Sequence, residues 1–303
     1  MKAQTPLKFN SVSELHKALG LPKPLHPLVS LVNYADIKLP DEEIPKLMVL
    51  GFYKVSYKFN FTGRIRYGQG YYDFNEGGLC FYSPNQTIAS AEDGIDYSGY
   101  TLLFHPDFIR QHPLAGKMKN FGFFSYAANE GLFISDKERQ TITSVFENIR
   151  QELEHAIDEF SQDVVVSHIE VLLNYSSRFY KRQFITRKAI NHDLLANMEQ
   201  LFNSYFDQDD SLNKGLPTVE YLAGKLNMSP RYLSDMLRSL TGQNAQQHIH
   251  EKLIEKAKEY LAATPLSVSE IAFHLGFEHS QSFNKLFKRK TNLTPGEYKQ
   301  SLN

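Results

Sequence analysis

Two short runs of polar side chains near the C-terminus carry the chemistry of recognition, not of bond-breaking. Ser280, Gln281, Asn284 and Lys285 recur at the spacing that keeps side chains on one face of a helix. Arg231, Ser234 and Asp235 form a similar set about fifty residues earlier, and Arg238 and Lys288 extend the two faces by a turn. Amides donate and accept side by side, lysine and arginine supply charged donors, and none of these groups is a nucleophile paired with a base. Reactive constellations are missing elsewhere too. The strand-rich stretch 28–104 contains no histidine, which leaves a metal-binding barrel without its ligands. The one His-x-His run, His248-Ile249-His250, falls on a helical pattern, where positions two apart point to different sides. Neither a nucleophile elbow nor a phosphate loop is present.

The elements that hold these side chains are a helix-turn-helix pattern written twice between Pro217 and Tyr298. In the first copy Leu222, Ala223 and Leu226 form the inner stripe of a short helix. Ser229 is an N-cap, Pro230 occupies the first helical position, and Leu233, Met236, Leu237 and Leu240 face inward. In the second, Ser267 and Glu270 have capping-box spacing, Ile271, Ala272 and Leu275 repeat the stripe, and Phe283, Leu286 and Phe287 bury the following helix. Aligning the pairs Leu222-Ala223 and Ile271-Ala272 gives an offset of 49, and Leu233 with Phe283 gives 50, so the second turn holds one extra residue. Between the copies, residues 245–261 read as one helix of 17 residues, roughly 25 Å long. Such a rod suits two recognition helices about one DNA turn (~34 Å) apart. Gln and Asn pair with adenine edges, and Lys with guanine or phosphate. Asp235 has two open readings: it accepts from cytosine N4, or it pairs with Arg231 or Arg238.

Residues 217–298 resemble the DNA-binding domain of AraC-type transcription regulators. The matching residues are Leu222-Ala223, Ser229-Pro230, Thr241-Gly242, Ile271-Ala272, Leu275-Gly276-Phe277, Phe283, Phe287-Lys288 and the closing run Thr294-Pro295-Gly296-Glu297-Tyr298. The resemblance implies base-reading roles for Arg231, Ser234, Asp235, Ser280, Gln281, Asn284 and Lys285, and phosphate contacts for Arg238 and Lys288. It also implies double-stranded DNA and RNA polymerase as partners, with activation the expected direction. Asp235 departs from the basic or amide side chain many relatives carry there.

The rest of the chain fits the family's usual partner, a cupin-like antiparallel β-barrel with a helical hairpin. Stretches 29–32, 47–61, 70–74, 79–82 and 97–104 are rich in Val, Ile, Tyr and Phe and are separated by turn residues. Tyr53, Val55, Tyr57, Phe59 and Phe61 alternate and line one face. Two helical patterns follow, one behind the capping box Ser135/Glu138 and one from near Ser161. They cover the barrel, form a dimer seam, or do both. The expected fold is a two-domain α+β chain: a cupin-like domain over 1–182, a linker over 183–190 and the DNA-binding domain over 191–303. Tyr53, Tyr57, Phe59 and Phe81, with Phe61 and Tyr71, line a candidate effector pocket. Arg64 and Arg66 stand at its mouth for an anionic group. The competing reading is an aromatic core with exposed arginines.

Bulk composition points to a cytoplasmic protein without cofactor, metal or membrane partner, and the resemblance implies a bacterial one, nucleoid-associated when DNA-bound. No apolar run approaches a membrane span, the N-terminus lacks a leader's apolar core, and the single Cys80 excludes an intramolecular disulfide framework. Net charge is −1, but residues 212–303 carry 12 Lys and Arg against 8 Asp and Glu, a net of +4. Asp207-Gln208-Asp209-Asp210-Ser211 lacks the Gly and Glu of a calcium loop and reads as a solvated turn. Two rival functions follow from the same residues: a cupin enzyme with a regulatory DNA-binding tail, and an architectural DNA-binding protein with little sequence preference.

Overall fold

The computed structural model describes residues 5–40, 43–59, 65–67, 70–72, 77–89, 98–156, 158–186, 188–207 and 210–302. For 65–67, 70–72, 188–193, 207 and 210 it describes the backbone alone. The chain divides into two compact units, Met1–Gln183 and Phe184–Asn303.

The first unit begins with strand β1 (Leu7–Phe9) and helix α1 (Val12–Ala18). Ser11 Oγ accepts from Glu14 N at 3.2 Å, and the Glu14 carboxylate accepts from Ser11 N at 3.3 Å, which closes a capping box. Strands β2 (Val29–Asn33), β3 (Leu47–Leu50), β4 (Tyr53–Lys58), β5 (Ile65–Tyr67), β6 (Gly70–Tyr72), β7 (Gly78–Tyr82), β8 (Thr87–Ala89), β9 (Gly99–Phe104) and β10 (Leu132–Phe133) complete the strands. They pair as a five-stranded sheet β10-β7-β4-β9-β2, a three-stranded sheet β1-β3-β8 and the β5-β6 hairpin. The expected antiparallel barrel is therefore corrected. The described strands form separate sheets and do not close, and β1 runs parallel to β3. The stretch expected as one strand over 47–61 breaks at Gly51-Phe52. There Gly51 N donates to Phe9 O and Phe52 is fully buried, so β3 and β4 enter different sheets.

Register assigns the two faces of the large sheet. Tyr53 lies opposite Phe104, Val55 opposite Leu102 and Phe81, and Tyr57 opposite Tyr100 and Leu79. This aromatic face lies beneath α4 (Asp136–Glu154), α5 (Ser161–Thr186) and a short 3-10 turn, Gly122–Ser125. The Phe81 ring meets Phe123 at 4.3 Å, Tyr53 meets Phe124 at 5.1 Å, and Tyr57 meets Phe146 at 5.3 Å. On the opposite face, Lys54 pairs with Tyr82 and Leu103, and Ser56 with Cys80 and Thr101. Val32, Tyr34 and Leu103 there share a core with Met48, Leu50 and Ile88 of the small sheet and with Val12 and Leu15 of α1.

The helical hairpin is antiparallel. Arg182, late in α5, reaches Glu138 at the start of α4 with both Nε (3.0 Å) and Nη2 (2.6 Å). After β9 come α2 (Pro106–Ile109) and α3 (Pro113–Lys117), in each of which the proline occupies the first helical turn, where no N–H is needed. His105 Nδ1 accepts from Asp107 N, and His112 lies 3.4 Å from the Asp163 carboxylate.

The second unit is helical: α6 (Lys188–Asp207), α7 (Asp210–Lys214), α8 (Val219–Lys225), α9 (Pro230–Thr241), α10 (Ala245–Ala263), α11 (Val268–His274), α12 (Ser280–Thr291) and α13 (Pro295–Ser301). Of the stretch expected as a solvated turn, 207–211, Asp207 ends α6 and Asp210 and Ser211 begin α7. Ser211 is buried there and donates to His274 O at 2.7 Å, while Gln208 and Asp209 lie outside the described residues. Among the described residues, no helix is long and apolar enough to cross a membrane, and no cluster of His, Cys, Asp and Glu could hold a metal ion.

Candidate nucleic-acid interface

The two helix-turn-helix units are built from matching parts, and the caps show how. Thr218 caps α8 and Ser267 caps α11, 49 residues apart. Both turns then need a residue at positive φ, Asn227 (55°) in the first and Gly276 (91°) in the second. Met228 N donates to Ala223 O at 2.9 Å, and Phe277 N donates to Ala272 O at 3.0 Å. Beyond the turn the offset becomes 50: Ser229 and His279 precede α9 and α12, and the left-handed Gly242 and Asn292 end them. The extra residue is therefore Glu278. Thr241 and Thr291 repeat one further device, each hydroxyl donating to the carbonyl four residues back at 2.9 Å.

Burial follows the stripes. Leu222, Ala223, Leu233 and Leu237 are fully buried, as are Ile271, Ala272, Phe283 and Phe287. Leu226 and Leu240, expected inside, are half-buried. Tyr232, which periodicity did not single out, is 1% exposed because its ring packs edge-on against Phe184 at 5.1 Å. Its equivalent, Ser282, is exposed.

The outward residues occupy corresponding positions, each fifty apart: Arg231 and Gln281, Ser234 and Asn284, Asp235 and Lys285, Arg238 and Lys288. Arg231, Arg238, Gln281, Lys285 and Lys288 are exposed; Ser234, Asp235, Ser280 and Asn284 are half-buried. In α9 the Asp235 carboxylate accepts from Arg231 Nε at 2.9 Å and lies 3.5 Å from Arg238 Nη1. Both arginines are thus drawn toward one acid on their own helix, an arrangement worth a few tenths of a kcal/mol per exposed pair. In α12 the corresponding position is Lys285, which makes no ion pair among the described residues. Ser229 caps α9 through its side chain, whereas His279 offers α12 no such bond.

The connector α10 has 19 residues, about 28 Å at 1.5 Å per residue. It is held from both sides, with Ala245, Ile249, Leu253, Ile254, Ala257 and Leu261 buried. His248 bonds Thr241 at 2.8 Å and His250 bonds Gln246 at 3.0 Å, so the two imidazoles serve different neighbours. Burial lowers the pKa of each, and Arg289 and Lys290 lower that of His250 further.

Of the expected effector-pocket residues, Tyr57 and Phe81 are core side chains under the helices, and Tyr57 Oη bonds Thr143 at 2.9 Å. Phe59 packs on Tyr57 and Tyr100, and Tyr53, half-buried, stacks on Phe104. Arg64 and Phe61, and the side chains of Arg66 and Tyr71, lie outside the described residues.

Residues 222–301 match a family model described as a helix-turn-helix domain. A regulator from Bacillus subtilis, the uncharacterized HTH-type transcriptional regulator YtdP, is 32% identical over 83 residues, 27% of this chain and 11% of that one. The HTH-type transcriptional activator RhaS of Salmonella paratyphi A is 28% identical over 163 residues, 52% of this chain and 55% of the relative. The chain thus spans about half or less of the length of these relatives. Among solved structures, the C-terminal domain of the two-component response regulator yesN from Fusobacterium nucleatum is 33% identical. That likeness covers 34% of this chain and 98% of the other, with a TM-score of 0.29. Over residues 222–301 the chain is thus similar to the helix-turn-helix domains of transcriptional regulators.

Proposed function

We propose that the chain is a sequence-specific DNA-binding transcription regulator, acting as an activator, that lays α9 and α12 in two adjacent major-groove segments. The observation that carries this reading is the pairing of equivalent exposed positions on two helices joined by one packed rod. A rod of about 28 Å suits recognition helices one DNA turn (~34 Å) apart. In α9, Arg231 and Ser234 face base edges and Arg238 the backbone, while Asp235, on the same face, pairs with both arginines. In α12, Ser280, Gln281, Asn284 and Lys285 read bases and Lys288 binds phosphate. The amides favour adenine and the lysine guanine. Double-stranded DNA is the partner, with RNA polymerase the second partner that the family resemblance implies, and the relative named as the transcriptional activator RhaS supports activation. The first unit serves dimerisation, effector sensing or both, in a cytoplasmic protein. The domain division proposed from the sequence places a linker over 183–190, within the helical span of α5 and α6.

Genome-wide capture of DNA on the purified full chain tests the reading. The expected result is a short shared motif with two half-elements about one turn apart. Mobility shift on that motif should then weaken in Lys285→Ala and Arg231→Ala. Capture of DNA without a shared motif would replace sequence reading with the architectural alternative, whose affinity is set by salt alone.

A further inference from the structure

The face of the five-stranded sheet turned toward the small sheet is polar where a core should be apolar. Its rows run Tyr82–Lys54–Leu103–Ser30 and Cys80–Ser56–Thr101–Val32, with Lys58 in the next row. Leu103 and Val32 meet the apolar core, but the other half of the face is built of a thiol, hydroxyls and amines. The Tyr34 hydroxyl donates to Ser56 Oγ at 2.8 Å, and Lys58 Nζ stands 3.6 Å over the Tyr34 ring. Lys54 Nζ lies 5.7 Å from the Tyr82 ring centre and has no carboxylate partner among the described residues. The Thr101 hydroxyl is buried beside the Tyr34 phenol. It has no hydrogen-bond partner of normal geometry among the described residues.

These groups act on one another. Cys80 lies within electrostatic reach of Lys54, Lys58, Tyr34 and Tyr82. Burial pushes the Cys80 thiol up to about 11, and the Tyr34 and Tyr82 phenols up as well, so all three are neutral near pH 7. Burial also holds the Lys54 ammonium down to about 8, still charged at pH 7. Lys54 is therefore a charged ammonium set among neutral hydroxyls and a neutral thiol. A half-buried ammonium and an unpartnered hydroxyl both cost stability unless a ligand satisfies them.

We propose that this polar half of the inter-sheet space binds a small oxyanion, a carboxylate- or phosphate-bearing molecule, with Lys54 as its charge partner and Ser56 and Thr101 as hydroxyl ligands. Tyr53 and Tyr57, which alternation picks out, lie on the other face of the sheet and are covered by helices. The site is independent of the DNA-reading faces, so its test does not depend on them.

Thermal unfolding of the full chain at constant ionic strength is the experiment, with inorganic phosphate, succinate and neutral ribose compared against chloride. A saturating rise in Tm is expected with phosphate or succinate and not with ribose; which oxyanion works separates the two ligand sources. Lys54→Met should weaken the effect at least tenfold, while Lys46→Met, at an exposed lysine, should leave it intact. Thr101→Val keeps every charge and should weaken the same anion severalfold, which covers the case of a Lys54 variant that does not fold. Without anion, Lys54→Met should unfold at higher temperature than wild type at pH 7. The unfolded lysine titrates near 10.5 and the folded one near 8, so the penalty in wild type is full below pH 8 and fades toward 10.5. The variant's advantage should shrink across that window. The proposal is overturned if neither anion gives a saturating shift, or if the shift survives in Lys54→Met and Thr101→Val.

Discussion

The two helix-turn-helix units share a scaffold and differ in what they present. Caps, left-handed turns and buried stripes repeat at offsets of 49 and then 50. The outward faces are unlike in charge, because Asp235 of α9 stands where α12 has Lys285. The acid engages Arg231 and Arg238 on its own helix, whereas Lys285 is exposed. Scaffold residues answer to a geometry both copies must satisfy; outward residues answer to whatever each copy faces. The difference teaches that the two units are not interchangeable surfaces. On the proposed reading α12 would meet a polyanion with charge ready, and α9 would first have to separate its own ion pairs.

The largest break in the comparison should come at the turns. A Cβ on Gly276 would stand 2.5 Å from the Gly215 backbone and at a φ of 91°. Gly276→Val is expected to destabilise the C-terminal unit by on the order of 2–4 kcal/mol, read by thermal or urea unfolding. Asn227→Gly, at the matching turn, should change stability by only about 0.5 kcal/mol, since either residue tolerates that conformation. Next in size is Lys285→Ala, expected to lose about 1–3 kcal/mol of affinity for the captured motif and to relax preference at one base pair. Asp235→Asn should act in the opposite direction and tighten binding by about 1 kcal/mol, as Arg231 and Arg238 are released and a repulsive charge is removed. Weaker binding with altered preference at a cytosine would instead assign Asp235 to base reading. The smallest effects belong to Arg238→Ala and Lys288→Ala. Each should lower the slope of log affinity against log salt by about 1, without changing the preferred sequence.

What the sequence reveals depends on how far apart the interacting residues are. Capping boxes at Ser11/Glu14, Ser135/Glu138 and Ser267/Glu270 are local, and all three form. The Asp235 ion pairs are legible because three- and four-residue spacing puts the partners in reach. Alternation correctly places Tyr53, Val55 and Tyr57 on one face, but nothing in a strand states what covers it. Helices 65 or more residues later do so, with Phe124 on Tyr53 and Phe146 on Tyr57. Conversely, Lys54, Ser56 and Lys58 follow the pattern of a solvent-facing set, and only the small sheet with α1 turns that face inward. Tyr232 is hidden for the same reason: its partner Phe184 is 48 positions away. The Gly51-Phe52 break leaves little local signal, because the hydrogen bond that makes the corner comes from Phe9.

Gly276 rests on the link between α7 and α8, where Tyr205 also bonds Gly215 O and Ser211 bonds His274 O. The second reading unit is therefore part of the same cooperative block as α6 and α7. Amides in the α11–α12 turn should resist hydrogen exchange until that block opens as a whole. A fragment beginning at Pro217 would keep both recognition helices yet lose the surface on which the second turn is seated. A fragment in which both helix-turn-helix units are ordered should therefore have to begin upstream of Tyr205, well before the first repeated residue.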